Sequence, residues 1–277
     1  LRTPGNVSVI AELLDEEGRK LPGRFTQVQR SLDGVIVRAA CPGPGNRTLR
    51  IYSKRGDAGD EKAYDWTLDY RIEAGPNAKV QTGFPVVWDA FWDMGIEAKS
   101  HPEGLIEAGS ELKVTFLTPE DVLLLAGLLD EVGRKLPEDR TITQREEGGY
   151  AVRVAFPKAA NYTLRIYAKR ADEPGGVYTS AIEYSVVADA GEVEMTYPRT
   201  FGIFAETGAS LRRPMEGRLE AGASREFELA VPGAEDVAVI NDGEWTFLSK
   251  EDETFRGEVS LSAGEAQVAA RFPGDES

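Results

Sequence analysis

Twelve residues near the N-terminus, Ala11–Pro22 (AELLDEEGRKLP), return as Ala126–Pro137 (AGLLDEVGRKLP) with ten identical positions. The same shift of 115 carries Leu49–Arg55 (LRIYSKR) onto Leu164–Arg170 (LRIYAKR), identical at six of seven. A period this long is a duplicated domain, since solenoid repeats run at roughly 20–50 residues. Smaller echoes follow in order. Tyr64 and Tyr70 return as Tyr178 and Tyr184, Phe84-Pro85 as Tyr197-Pro198, and Glu107-Ala108-Gly109 as Glu220-Ala221-Gly222. The shift drifts to 114 and then 113, which places single deletions in loops, where they are tolerated.

A third unit opens near Asp236-Val237, the counterpart of Asp121-Val122. Gln267–Pro273 (QVAARFP) reads as the counterpart of Ala151–Pro157 (AVRVAFP), so this unit is expected to lack the strands equivalent to Thr163–Lys169 and Ile182–Val186. The chain opens on Leu1 rather than Met. Both features lead us to expect a longer parent polypeptide. The domains are expected at 1–80, 81–190 and 191–277.

Comparing units also decides secondary structure. Val122–Leu129 (VLLLAGLL) alone suits a helix or a buried strand. Its counterpart Val7–Leu14 alternates at period two, and the third copy carries the turn Asn241-Asp242-Gly243, which breaks a helix. A strand fits all three. Val152, Val154 and Phe156 share one face, as do Leu164, Ile166 and Ala168, and Ile182, Tyr184 and Val186. Six or seven short strands per unit, separated by Gly-rich turns, predict an all-β chain of tandem immunoglobulin-like antiparallel β-sandwiches. The Cys…Trp…Cys spacing of a true immunoglobulin domain is absent.

The pattern resembles a family. Phe156-Pro157-Lys158, then Asn161–Lys169, Tyr178 and Tyr184 look like the β-rich accessory modules of kyphoscoliosis-peptidase-type proteins. Tyr197-Pro198 through Pro232 fits the same pattern, with Pro214, Leu219, Gly222 and Phe227 between, as do Trp245, Leu248, Phe255 and Gly264. Cys41 departs from it where an aromatic is expected, and Ala160 where a turn glycine is usual. The resemblance implies modules that follow a transglutaminase-like peptidase domain in a larger protein, with an extracellular or cell-surface placement. The Cys–His–Asp chemistry of such a domain needs a thiolate beside a base. One Cys and one His in different repeat contexts, Cys41 and His101, do not supply it. We therefore expect no enzyme, no catalytic residues, no cofactor and no metal. Cys41, lying where the second unit has Phe156, reads as a small core residue.

The net charge of −15 and pI near 4.7 oppose binding to phosphate backbones, which needs a concentrated basic face. No apolar run reaches the length of a membrane span. Nucleic acid and membrane insertion are accordingly not expected, and a protein or glycan partner is.

The richest local cluster is Trp88, Asp89, Phe91, Trp92 and Asp93, between the first two units. It reads as an aromatic recognition platform flanked by carboxylates, or as packing at the domain junction. Packing is favoured, because the equivalent Phe201–Ala205 keeps its aromatics. Arg55-Gly56-Asp57 matches an adhesion tripeptide, but the second copy has Arg170-Ala171-Asp172, so an inherited polar turn explains it. Acidic runs at Asp57–Glu61 and Glu251–Glu253 lack alternate-position oxygen ligands for calcium, and Asn241–Glu244 is a hairpin turn first. The sequons at Asn6, Asn46 and Asn161 are no evidence of glycosylation, since the latter two coincide by duplication. The leading expectation is a semi-rigid array of non-catalytic accessory, binding or spacer modules. The rival is a carbohydrate-binding or carbohydrate-active protein built on Trp88, Phe91 and Trp92.

Overall fold

The computed structural model describes residues 1, 7–31, 34–56, 63–173 and 176–274. The first unit contributes β1 (Val7–Leu14), β2 (Thr26–Ser31), β3 (Gly34–Ala39), β4 (Gly45–Arg55) and β5 (Asp65–Ala74). They form one sheet in the order β1-β4-β5 and a facing pair β2-β3. Alternation decides the faces: Val9, Ala11 and Leu13 of β1 point inward with Leu49 and Ile51 of β4.

The middle unit repeats this plan and adds to it. Its elements are β6 (Val86–Val87), α1 (Asp89–Asp93), β7 (Glu97–Ala98), β8 (Leu105–Ala108), β9 (Glu111–Leu117), β10 (Val122–Leu129), β11 (Thr141–Glu146), β12 (Gly149–Ala155), β13 (Ala160–Arg170) and β14 (Thr179–Ala188). One sheet runs β10-β13-β14-β6, with β8 parallel to β14, and the other runs β11-β12-β9-β7. The register of β1 on β4, Ala11 opposite Ile51 and Leu13 opposite Leu49, is reproduced by Ala126 opposite Ile166 and Leu128 opposite Leu164. Even the bulge after Ile51 recurs after Ile166. The inward sets predicted from alternation all lie in the core between the two sheets. Each such side chain stabilises by about 1.5–3 kcal/mol on burial, so Ile166→Asp would break this unit.

Two partners of β14 explain a difference between the copies. The far edge of β14 is covered by β6 and β8, and Tyr184 is fully buried. The far edge of β5 has no such strands among the described residues, and the equivalent Tyr70 is half exposed.

The third unit holds α2 (Gly202–Glu206), β15 (Ser210–Arg213), β16 (Ser224–Ala230), β17 (Asp236–Asn241), β18 (Glu244–Phe247), β19 (Ser249–Glu251), β20 (Thr254–Ser260) and β21 (Ala266–Arg271). Its sheets run β15-β16-β20-β19 and β18-β17-β21. The hairpin predicted at Asn241–Glu244 joins β17 to β18, with Asp242 and Gly243 at φ of 52° and 79°, the left-handed pair such a turn demands. One expectation is corrected here. β21 pairs with β17 as β13 pairs with β10, and β20 pairs with β16 as β12 pairs with β9. Gln267–Pro273 is therefore the counterpart of the Thr163–Lys169 strand, not of Ala151–Pro157. A short alternating strand ending in Phe-Pro carries the same pattern in either sheet, so pattern alone assigned it to the wrong one. Among the described residues the β14 position has no strand in this unit, and neither do the positions of β6 and β8 that pair with it.

Candidate functional site

The predicted aromatic cluster folds as one turn of helix, α1, with Trp88 in extended conformation at its N-cap position and no side-chain capping bond. Phe91 points inward, 4% exposed, and Trp92 meets it edge-on at 4.7 Å. Both pack on the core of the middle unit, so the segment plugs the sandwich that follows it rather than the junction. Trp88 is half buried, its ring 5.7 Å from the Arg165 guanidinium, and only Asp89 and Asp93 are exposed. Of the three rings Phe91 is buried, and Trp88 and Trp92 are each partly exposed. The equivalent α2 places Phe204 against the third core while Phe201 and Ile203 stay exposed.

What the structure builds at the junctions lies a few residues away. In the first, the Phe84 N–H donates to the Arg24 carbonyl of the preceding unit at 2.6 Å, and the Gly104 N–H of the following unit donates to the Gly83 carbonyl at 2.9 Å. In the second, Tyr197 donates to Asp139 at 2.7 Å and Gly217 to Thr196 at 2.8 Å. The linker is stitched on both sides by the same pair of bonds. The close approach excludes any side chain: a Cβ on Gly104 would lie 1.9 Å from the Phe84 oxygen, and one on Gly217 2.3 Å from that of Tyr197.

The second junction has a small core of its own. Tyr197, 2% exposed, packs with Ile142 and Ala155 of the middle unit and with Met195 and Met215. Arg140 donates to the Met195 carbonyl at 2.9 Å, and the Leu211 N–H to the Gln144 side chain at 3.2 Å. Lys169 and Glu206 approach to 3.5 Å. Burial, with Glu111 adding to it and Arg153 opposing, pushes the Tyr197 phenol up to about 12. Burial likewise raises Tyr184 well above the ordinary tyrosine range. Neither buried hydroxyl has a hydrogen-bond partner. Sequence reading missed the stitches, although the shift of 113 that maps Glu107 onto Glu220 also maps Gly104 onto Gly217.

The remaining sequence candidates fall apart in space or into structural roles. Cys41 is half buried, not a core residue as expected, and its N–H donates to Gln81 at 2.8 Å. The loop after β3 carries it past the sandwich edge, where Phe156 of the middle unit is instead fully buried. His101 pairs with Glu103 at 3.0 Å. Asn241 is buried and knits its hairpin to the Glu265 carbonyl and the Ser262 N–H. Asn46 and Asn161 are held alike through their N–H groups by Glu16 and Glu131, as duplication predicts. Asn6, Asp57 and the run Asp57–Glu61 lie outside the described residues. Among the described residues, no three His, Cys, Asp or Glu side chains converge to hold a metal, and no helix is long and apolar enough to cross a membrane.

Residues 79–199 match the KY-like, immunoglobulin-like domain family. The chain is 26% identical over 241 residues to kyphoscoliosis peptidase of Homo sapiens, across 83% of this chain and 36% of that protein. It therefore spans about a third of the length of the curated relative it matches. Among solved structures, an I-band fragment of titin aligns at 11% identity, over 96% of this chain and 83% of that one, with a TM-score of 0.23. The immunoglobulin domains 1–4 of Sidekick-1 align at 9% identity, over 98% and 66%, also at 0.23; scores this low carry no argument. Over residues 79–199 the chain is thus similar to the KY-like, immunoglobulin-like domain family, and over most of its length to kyphoscoliosis peptidase.

Proposed function

We propose that this chain is a non-catalytic array that holds immunoglobulin-like modules at fixed spacing and orientation within a larger transglutaminase-like protein. The supporting observation is the paired stitch. Two junctions, at equivalent positions, use the same backbone bonds and the same side-chain-free glycine to fasten the linker to both neighbours. A flexible tether needs neither, since a free linker gains from conformational freedom what a bonded one gives up. Inter-module geometry is then a property of the fold, and a protein or glycan partner would meet the modules in a set arrangement. The larger parent and the extracellular or cell-surface placement implied by the family are parts of the same proposal. Small-angle scattering tests the geometry: the wild type should fit one conformation, while the Gly104→Ala/Gly217→Ala double variant should need an ensemble. A wild type that itself needs a broad ensemble would sink the reading.

A further inference from the structure

The outer face of the β1-β4-β5 sheet carries one apolar row across the polar surface that an exposed sheet face ordinarily presents. Among the rows that the register sets across it, two lie side by side. One is Ile10, Tyr52 and Trp66; the next is Glu12, Arg50 and Asp69. Ile10 is 39% and Trp66 62% exposed. Adjacent strands lie about 4.8 Å apart, so the apolar row is about 10 Å long and one side chain wide.

The Trp66 ring is held in place. Its Nε1–H donates to Asp69 Oδ1 at 3.0 Å, and the Arg50 guanidinium lies 3.9 Å from the ring centroid. Arg50 is itself fixed by two hydrogen bonds to Asp69, both 3.0 Å. Tyr52 donates to Glu12 at 3.1 Å, and Glu12 accepts from Lys20. An exposed indole locked by a bidentate ion pair has surrendered its rotamer freedom before any ligand arrives.

The middle unit builds the same place differently. At the same places the middle unit keeps Leu125, Tyr167, Arg165 and Glu183, but it has Ser180 for Trp66 and Gly127 for Glu12. There the Arg165 guanidinium faces Trp88 of the preceding segment, at 5.7 Å, in place of a tryptophan on the sheet. The shared ion pair thus carries an indole in both units, half buried in the middle one and 62% exposed in the first.

We infer that this face is a binding site for a neutral oligosaccharide, its pyranose rings stacked along Ile10, Tyr52 and Trp66 and its hydroxyls bonded to the Glu12–Arg50–Asp69 row. A strip one ring wide, beside a rail of paired donors and acceptors, matches a molecule with one apolar and one hydroxylated edge. Protein interfaces instead centre on a wider desolvated patch. The alternating charges of the rail, its acids and bases paired with one another, favour a neutral glycan over an anionic one. The site is independent of the spacer reading and of the cluster at Trp88–Asp93.

The test is titration of the full chain with cellohexaose, chitohexaose, mannohexaose and laminarihexaose, followed by tryptophan fluorescence and calorimetry. At least one should bind saturably. Trp66→Ser, which installs the middle unit's own residue, should weaken it at least tenfold with an unchanged melting temperature. Arg50→Lys should weaken it severalfold by freeing the ring, and Trp245→Ser should leave it unchanged. No binding to any of the four at millimolar concentration overturns the inference, as does binding insensitive to Trp66→Ser. Concentration-dependent self-association abolished by Trp66→Ser would also overturn it, by assigning the face to a second copy of the chain.

Discussion

Gly104 and Gly243 are glycines for opposite reasons, and substitution separates them. Gly243 sits at φ of 79° with open space around its missing Cβ, so alanine there strains only the backbone and should cost about 1 kcal/mol. Gly104 has an ordinary φ, but its Cβ would enter the Phe84 carbonyl. Gly104→Ala should leave the melting temperature almost unchanged yet expose residues 79–85 to limited proteolysis, while Gly243→Ala lowers stability without new cleavage. Tyr197 offers a second residue-scale test. Its folded-state pKa is raised, so the stability it contributes is present below the unfolded value near 10 and is lost as pH rises through about 12. Denaturant titrations over that window should show a loss on the order of 2–3 kcal/mol. Tyr197→Phe should lessen this slope, leaving the share that Tyr184 carries, and cost little at neutral pH, since the hydroxyl has no partner.

At the scale of elements, the strands of the first two units were legible because alternation and duplication agreed: every inward set read from β12, β13 and β14 lies in the core. Which sheet a strand joins was not legible for β21, whose seven-residue pattern suits either. The aromatic cluster was legible as packing but not as to what it packs on, because adjacency in sequence to a linker says nothing about which neighbour a one-turn helix enters. Trp66 escaped notice because its partners, Arg50 and Asp69, come together only through the register of β4 on β5. In the third unit, β15, β16 and β20 converge on Glu228, which Arg212 and Arg256 bond at 2.9 and 3.0 Å. Arg212 foremost, with Arg256, holds its carboxyl below the usual range against burial. The stability it contributes is therefore present above the unfolded value and lost as pH falls through the lowered one. Glu228→Gln should flatten the acid limb of the unfolding profile, and an unchanged limb would show that these ion pairs contribute nothing.

For the whole molecule, the claim is that three sandwiches are spaced by bonded linkers rather than tethered by free ones. The net charge of −15 lies in the second and third units, the first being close to neutral, so repulsion over about a Debye length acts between those two and keeps them from collapsing on one another. The most direct measurement is the distance distribution between spin labels at Glu73 in the first unit and Glu244 in the third, both exposed, in a Cys41→Ser background. A single narrow distribution that broadens in the Gly104→Ala/Gly217→Ala variant is the predicted result. A distribution already broad in the unaltered junctions, and unmoved by the two alanines, would contradict it.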